Sequence, residues 1–217
     1  MPVAAGPFED AVEAHSRGDD QKALRLVRPL ANDGDAVAQF NLGLMHATGQ
    51  GLQQDNAAAA TWFRKAAEQG YAPAQSNLGT VYLYGRGMTQ DDTEAVAWFR
   101  KAADQGDAIA EFLPGNQYAN GKGVLQDYSE AMIWLRRAAE QGHPVAKLFL
   151  GVMYAEGRGV PQDYVRAHMW FSLAAAQGEH RAVKTLEMAA RRMTPAQITE
   201  AQKLARDWKP ATRPTPH

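Results

Sequence analysis

The chain of 217 residues contains no cysteine. That excludes disulfide frameworks, thiolate metal sites and thiol nucleophiles together, and leaves the compartment open. It also has almost no net charge, with 23 basic against 24 acidic side chains. A balance of −1 supplies no long-range field for a polyanion, so neither a nucleic acid nor a membrane surface is expected as partner. Long apolar runs are missing too: the longest, Leu148 to Ala155, is far too short to span a bilayer, and no membrane insertion is expected.

Chemistry-bearing motifs are equally scarce. Ser-x-x-Lys, Gly-x-Ser-x-Gly, His-Glu-x-x-His and phosphate-loop patterns do not occur. Paired glycines such as Gly85-Arg86-Gly87 lack a preceding strand and a third glycine, so they read as helix ends. The six histidines include no pair at i, i+3 or i, i+4, which leaves a helical zinc site unsupported. The expectation is a chain without catalytic residues, cofactor or metal.

What the sequence has is repetition. Trp62, Trp98, Trp134 and Trp170 fall 36 residues apart, as do Gly34, Gly70, Gly106, Gly142 and Gly178. Four units can be written in register, 35–70, 71–106, 107–142 and 143–178, each with a block such as Lys65-Ala66-Ala67-Glu68-Gln69-Gly70. Within a unit two helical patterns flank a glycine loop. In the second, helix B, Ala59, Trp62, Phe63, Ala66 and Ala67 sit at i, i+3, i+4, i+7 and i+8 and therefore share one face. Asp55, Asp91, Asp127 and Asp163 stand where its N-cap should be, and Glu94 and Glu130 follow at capping-box spacing.

The first pattern, helix A, carries a core stripe at Ala38, Leu42 and His46, matched by Ala74/Leu78/Tyr82 and Ala146/Leu150/Tyr154. Gly43, Gly79, Gly115 and Gly151 interrupt it, each at roughly 1 kcal/mol relative to alanine. A cost repeated in every unit implies a packing reason, expected to be close approach to the alanines of helix B. Gly49/Gly51 and their equivalents then end helix A in the left-handed region. The ends depart from the pattern, as the ends of a stack must. Residues 8–34 read as a divergent N-terminal helix pair, 179–208 as C-terminal capping helices, and 1–7 and 209–217 as disordered ends.

The unit Ala-x-Ala-Gln-x-x-Leu-Gly-x-x-Tyr-x-x-Gly-x-Gly, followed by Asp-x-x-x-Ala-x-x-Trp and Ala-Ala-x-x-Gly, resembles the Sel1-like repeat, a relative of the tetratricopeptide repeat. The resemblance is strong from Asp35 to Gly178. It implies an all-α, right-handed α-solenoid of about twelve helices, a scaffold or adaptor role, and a bacterial source with envelope, secretion or host-interaction associations. The third unit departs from it: Pro114 stands where Leu42, Leu78 and Leu150 stand elsewhere. A kink is expected there, since a helix-interior proline costs ~3 kcal/mol or more, and either drift or a functional bend would account for it.

Periodic basic residues (Arg86, Lys122 and Arg158 in the loop; Arg64/Lys65, Arg100/Lys101 and Arg136/Arg137 late in helix B) favour the helix C-terminal dipole, or else form a strip for an anionic partner. Opposite the core stripe of helix A lies the face that would line a concave groove. Its predicted lining is Val37, Phe40, Asn41, Leu44 and Thr48 in the first unit, and Pro73, Ser76, Asn77, Thr80 and Tyr84 in the second. The third supplies Ile109, Phe112, Leu113, Asn116 and Asn120, and the fourth Val145, Leu148, Phe149, Val152 and Glu156. Phe40, Phe112 and Phe149 there are either ligand anchors or packing between neighbouring A helices. The asparagines could hold the backbone of an extended peptide.

The leading expectation is a monomeric, non-enzymatic scaffold binding a protein or peptide segment in that groove. The alternatives are a cell-envelope hydrolase acting on β-lactams or peptidoglycan, and a purely structural spacer. Val3-Ala4-Ala5 has the small-residue pattern that precedes a cleavage site. The compartment expected is therefore periplasmic or secreted, if a signal peptide once preceded these residues, with cytoplasmic as the alternative.

Overall fold

The computed structural model describes residues 7–106 and 108–210. The small-residue pattern at Val3–Ala5, the extreme N-terminus and most of the C-terminal tail lie outside them. Twelve helices and no strand occur among the described residues, in two compact units divided after Asp107.

The first unit holds α1 (Pro7–Ser16), α2 (Asp20–Asn32), α3 (Ala36–Thr48), α4 (Asn56–Glu68), α5 (Ala72–Tyr84) and α6 (Asp92–Asp104). The second holds α7 (Ala108–Asn120), α8 (Tyr128–Glu140), α9 (Pro144–Glu156), α10 (Tyr164–Ala175), α11 (His180–Ala190) and α12 (Pro195–Asp207). Helices A are thus α3, α5, α7 and α9; helices B are α4, α6, α8 and α10. In each unit a helix packs mainly on the next in sequence, except that α12 turns back to lie on α10.

The boundaries follow from the capping chemistry. Asp55 accepts the amides of Ala57 and Ala58, Asp91 those of Thr93 and Glu94, and Asp127 those of Ser129 and Glu130, all at 2.8–3.1 Å. Each satisfies orphan donors of the first turn. Glu94 and Glu130 contribute their backbone N–H, while a complete capping box forms at Thr194 and Gln197. Gly49, Gly85 and Gly157 close α3, α5 and α9 with φ between 62° and 77°. The second glycine of each loop has another task. A Cβ on Gly51 would lie 2.5 Å from the Asp20 carbonyl oxygen, and one on Gly87 2.3 Å from that of Asn56. These glycines let the loop rest on the start of the preceding repeat's B helix.

The mid-helix glycines have the packing reason anticipated, against a different partner. A Cβ on Gly43 would sit 2.7 Å from the Phe63 ring, on Gly79 2.6 Å from Phe99, on Gly115 2.8 Å from Leu135 and on Gly151 2.4 Å from Phe171. The large residue of helix B, rather than its alanines, fills the notch. Phe99 and Leu135 are fully buried as a result. Tryptophan serves the contact between repeats: Trp62 packs back on the cluster of α1–α3, and Trp98 on that of α4 and α5. Pro114 does not end α7, which has the same thirteen residues as α3, α5 and α9, and its ring is buried in the place of the missing leucine.

A buried polar series runs through both units, directly after the core alanine of helix A. Gln39, Gln75, Glu111 and Lys147 occupy this position, all at 5% exposure or less. Each meets the glutamine that ends its own helix B. Gln69 and Gln105 donate to Gln39 and Gln75 at 2.8 Å, Gln141 donates to Glu111, and Lys147 Nζ donates to Gln177 at 2.8 Å. Gln39 and Gln75 also donate to Ala31 and Ala67 of the preceding helix B. The amide side chains therefore tie three helices together. Burial pushes the Lys147 ammonium below the usual lysine range, and the Trp208 ring lies 4.7 Å from it.

Candidate binding face of the A helices

Cavities open between successive A-type helices. In the first unit a cleft of about 220 Å³ lies among α1, α2 and α3, bordered by Phe8, Val12, His15, Asn41, Leu44 and Met45. A second, of about 230 Å³, lies among α3, α4 and α5, bordered by Leu44, Gln54, Asn56, Asn77, Thr80 and Arg86. The second unit has a cleft of about 230 Å³ among α9, α10 and α11, bordered by Val152, Glu156, Thr185, Met188 and Arg192.

Of the residues placed on this face by helical geometry, Asn41, Leu44, Asn77, Thr80, Val152 and Glu156 border these clefts. Tyr84 is 62% exposed at the end of α5, and Thr48, Asn120 and Glu156 are exposed at the corresponding helix ends. The aromatic residues behave differently. Phe40 packs edge-on against Tyr71 at 5.3 Å and tilted on Phe63 at 5.8 Å. Phe112 stacks on His143 at 4.7 Å and meets Phe149 edge-on at 5.6 Å. Both are half-buried, Phe40 packed on the cluster of α4 and α5 and Phe112 on that of the second unit, while Ser76 and Leu148 are buried. Val37, Pro73, Leu113, Asn116, Val145 and Phe149 are half-buried, and the Ile109 side chain lies outside the described residues.

The asparagines are partly occupied already. Asn41 and Asn77 donate Nδ2 to the carbonyls of Val37 and Pro73, four residues back, at 2.8 and 2.9 Å, and Asn120 does the same to Asn116. Asn41 and Asn77 each retain a second N–H beside the side-chain oxygen, so a ligand would meet both a donor and an acceptor there.

The sequence reading missed that the face continues into both capping pairs. Phe8 and Val12 stand one period before Leu44 and Thr48, and Met188 and Arg192 one period after Val152 and Glu156. The 36-residue register alone could have placed them. It also missed the uses of the periodic cations. Lys65 and Lys101 sit 4.1 and 3.8 Å over the rings of Trp62 and Trp98, and Arg64 and Arg136 donate to the hydroxyls of Tyr82 and Tyr154 in the next repeat. His46 replaces that tyrosine, and its Nδ1 is buried without a hydrogen-bond partner. Among the described residues no cluster of His, Asp and Glu could hold a metal ion, and no helix is long and apolar enough to cross a membrane.

Three histidines give the fold a pH dependence. Burial lowers the pKa of His143 and His168, and of His46, where Arg28 reinforces burial against Asp55. The unfolded chain therefore binds protons more readily in this range, so stability is full above about pH 6.5 and falls as pH drops through the depressed folded values. His143 Nδ1 also accepts the Ala146 amide at the start of α9, a bond that protonation removes. Melting temperature is expected to be lower at pH 5 than at pH 7.5. His143→Asn, which keeps a capping oxygen, should recover part of the difference; an identical pH profile for that variant would refute the assignment.

Tandem helix pairs, each closed on itself by a glycine notch, with tryptophan packing one pair on another within the first unit, define a helical-repeat protein of the α-solenoid class. The chain belongs to the Sel1 repeat family, whose model matches residues 36–71, 72–107, 109–143 and 144–179. Those matches start one to two residues later than the units read from the glycine period, close to the first helical residue rather than at its cap. A Sel1 repeat protein from Oxalobacter formigenes is 31% identical over 92% of this chain and 83% of its own, with a TM-score of 0.81. The protective antigen c5321 of uropathogenic Escherichia coli, with an SLR fold, is 37% identical over 85% of this chain at a TM-score of 0.77. This chain spans only 40% of the c5321 chain. A Sel1 repeat protein from Klebsiella pneumoniae, 21% identical over 85% of this chain and 91% of its own with a TM-score of 0.53, shares the fold. Among curated proteins none matches the sequence significantly. Sel1 repeats typically mediate protein–protein interactions.

Proposed function

We propose that the protein is a non-enzymatic scaffold whose A-helix face holds an extended segment of a partner protein. The observation that carries this reading is the recurrence of clefts between successive A-type helices, each pairing apolar walls with amide or hydroxyl groups. Such a surface takes alternate side chains of a peptide into the clefts and offers the asparagine and threonine side chains to its backbone.

A photocrosslinking side chain placed at Tyr84 or Met188, exposed on this face, tests it. Placed instead at Leu125 or Ile133, which are 91% and 49% exposed away from the clefts, it serves as control. In extracts of the source cells the first pair should capture a common protein that the second pair does not. Capture from Leu125 or Ile133 alone would move recognition off the A helices.

A further inference from the structure

The cleft among α3, α4 and α5 differs from the others in its charge. Its border includes Arg86 and no acidic residue. Among the described residues no carboxylate lies within ion-pair distance of that guanidinium, which stacks 5.2 Å from the exposed Tyr84 ring. The equivalent arginine two periods later is neutralised internally: Arg158 Nε lies 2.6 Å from Glu156 Oε2. The difference comes from the residue two places earlier, tyrosine in one case and glutamate in the other.

The other polar groups of the cleft are partly engaged by the protein itself. Gln54 donates to Ala47 at 2.9 Å, Asn77 to Pro73 at 2.9 Å and Thr80 to Ser76 at 3.0 Å. The Arg86 guanidinium and the Asn56 side-chain amide, by contrast, make no hydrogen bond among the described residues and stand wholly available beside the apolar walls of Leu44, Phe63 and Val81. A planar guanidinium at the edge of an apolar cleft pairs best with an anion offering two coplanar oxygens. One cation balances one negative charge, which favours a carboxylate over a doubly charged phosphate.

We propose that this cleft is a carboxylate subsite: Arg86, backed by Tyr84, and Asn56 together take an acidic side chain or the C-terminal carboxylate of the bound segment. The proposal rests on the reading that the A-helix face is the recognition surface.

The probe is a random dodecapeptide library displayed in two formats, one with the C-terminus blocked by fusion and one with it free. Enrichment of Asp or Glu in both formats identifies a side-chain source. Enrichment confined to the free format, without a fixed acid, identifies the terminal carboxylate. An enriched peptide should bind Arg86→Ala about tenfold more weakly, or about 1.4 kcal/mol. Tyr84→Glu, which recreates the internal pair of Arg158, should weaken it similarly, and Arg86→Glu should redirect selection to Lys and Arg. Unchanged melting temperatures exclude misfolding as the cause. Peptides that lack an acid in both formats, or that bind Arg86→Ala as tightly as the parent, overturn the subsite. If such peptides still lose affinity on Asn77→Ala, the A-helix face stands without it; no enrichment in either format sinks both.

Discussion

Phe99→Ala is expected to lower the melting temperature by on the order of 10 °C, corresponding to roughly 3–5 kcal/mol. The ring is fully buried and fills the notch left by Gly79, whose added Cβ would lie 2.6 Å from it. Because backbone approach at Gly79 is set by that ring, the cavity has no flexible neighbour to collapse into it. Gly79→Ala in the same protein forces the ring aside and should cost about 1–3 kcal/mol. The two changes should not add, since the methyl introduced by one enters the space vacated by the other. A double-mutant cycle measured by denaturant unfolding checks this. Strict additivity would mean that Phe99 and Gly79 are not the contact that closes the helix pair.

Gly87→Ala should be nearly as damaging for a different reason. Its φ of 79° already disfavours a side chain, at roughly 1–2 kcal/mol. The Cβ would also lie 2.3 Å from the carbonyl carbon and oxygen of Asn56 and 2.5 Å from the Ala57 nitrogen, backbone atoms at the start of α4. Separating them shifts one repeat against the next and costs about 1–3 kcal/mol more. Gly85→Ala provides the comparison. That residue shares the left-handed backbone, at φ 62°, yet its added Cβ would meet nothing closer than 3.3 Å. Gly87→Ala is therefore expected to lose at least about 1 kcal/mol more than Gly85→Ala in chemical denaturation. Equal losses would show that the second glycine serves backbone conformation alone.

Most of the architecture was legible because it is local and periodic. The aspartate caps, the glycine terminators and the apolar stripe of helix B each follow from spacing within a single helix. The contacts between helices were not legible in the same way. Helical geometry places Phe40 and Phe112 opposite the core stripe of their own helix, yet it carries no information about what packs there, where Phe63 and Tyr71 meet Phe40 and His143 meets Phe112. The glutamine series was hidden for a related reason. Gln39 and Gln69 read as ordinary polar residues on separate helices, and only the packing of α3 on α4 brings their side chains to 2.8 Å. Of the proposed binding face, the residues that border the clefts could be placed from the 36-residue register. Which aromatics are spent on packing could not.

Recognition by the A-helix face is tested most directly by the affinity of the partner segment captured by crosslinking for two variants of this protein. Asn77→Ala combined with Tyr84→Ala removes one group beside a cleft and one exposed ring, without touching the fully buried core. Ile133→Ser alters an exposed apolar residue of α8 away from the clefts. Titration calorimetry should show the double variant binding at least about tenfold more weakly with an unchanged melting temperature, and Ile133→Ser binding as the parent does. Parent-like affinity in the double variant, with a loss confined to Ile133→Ser, would contradict the account.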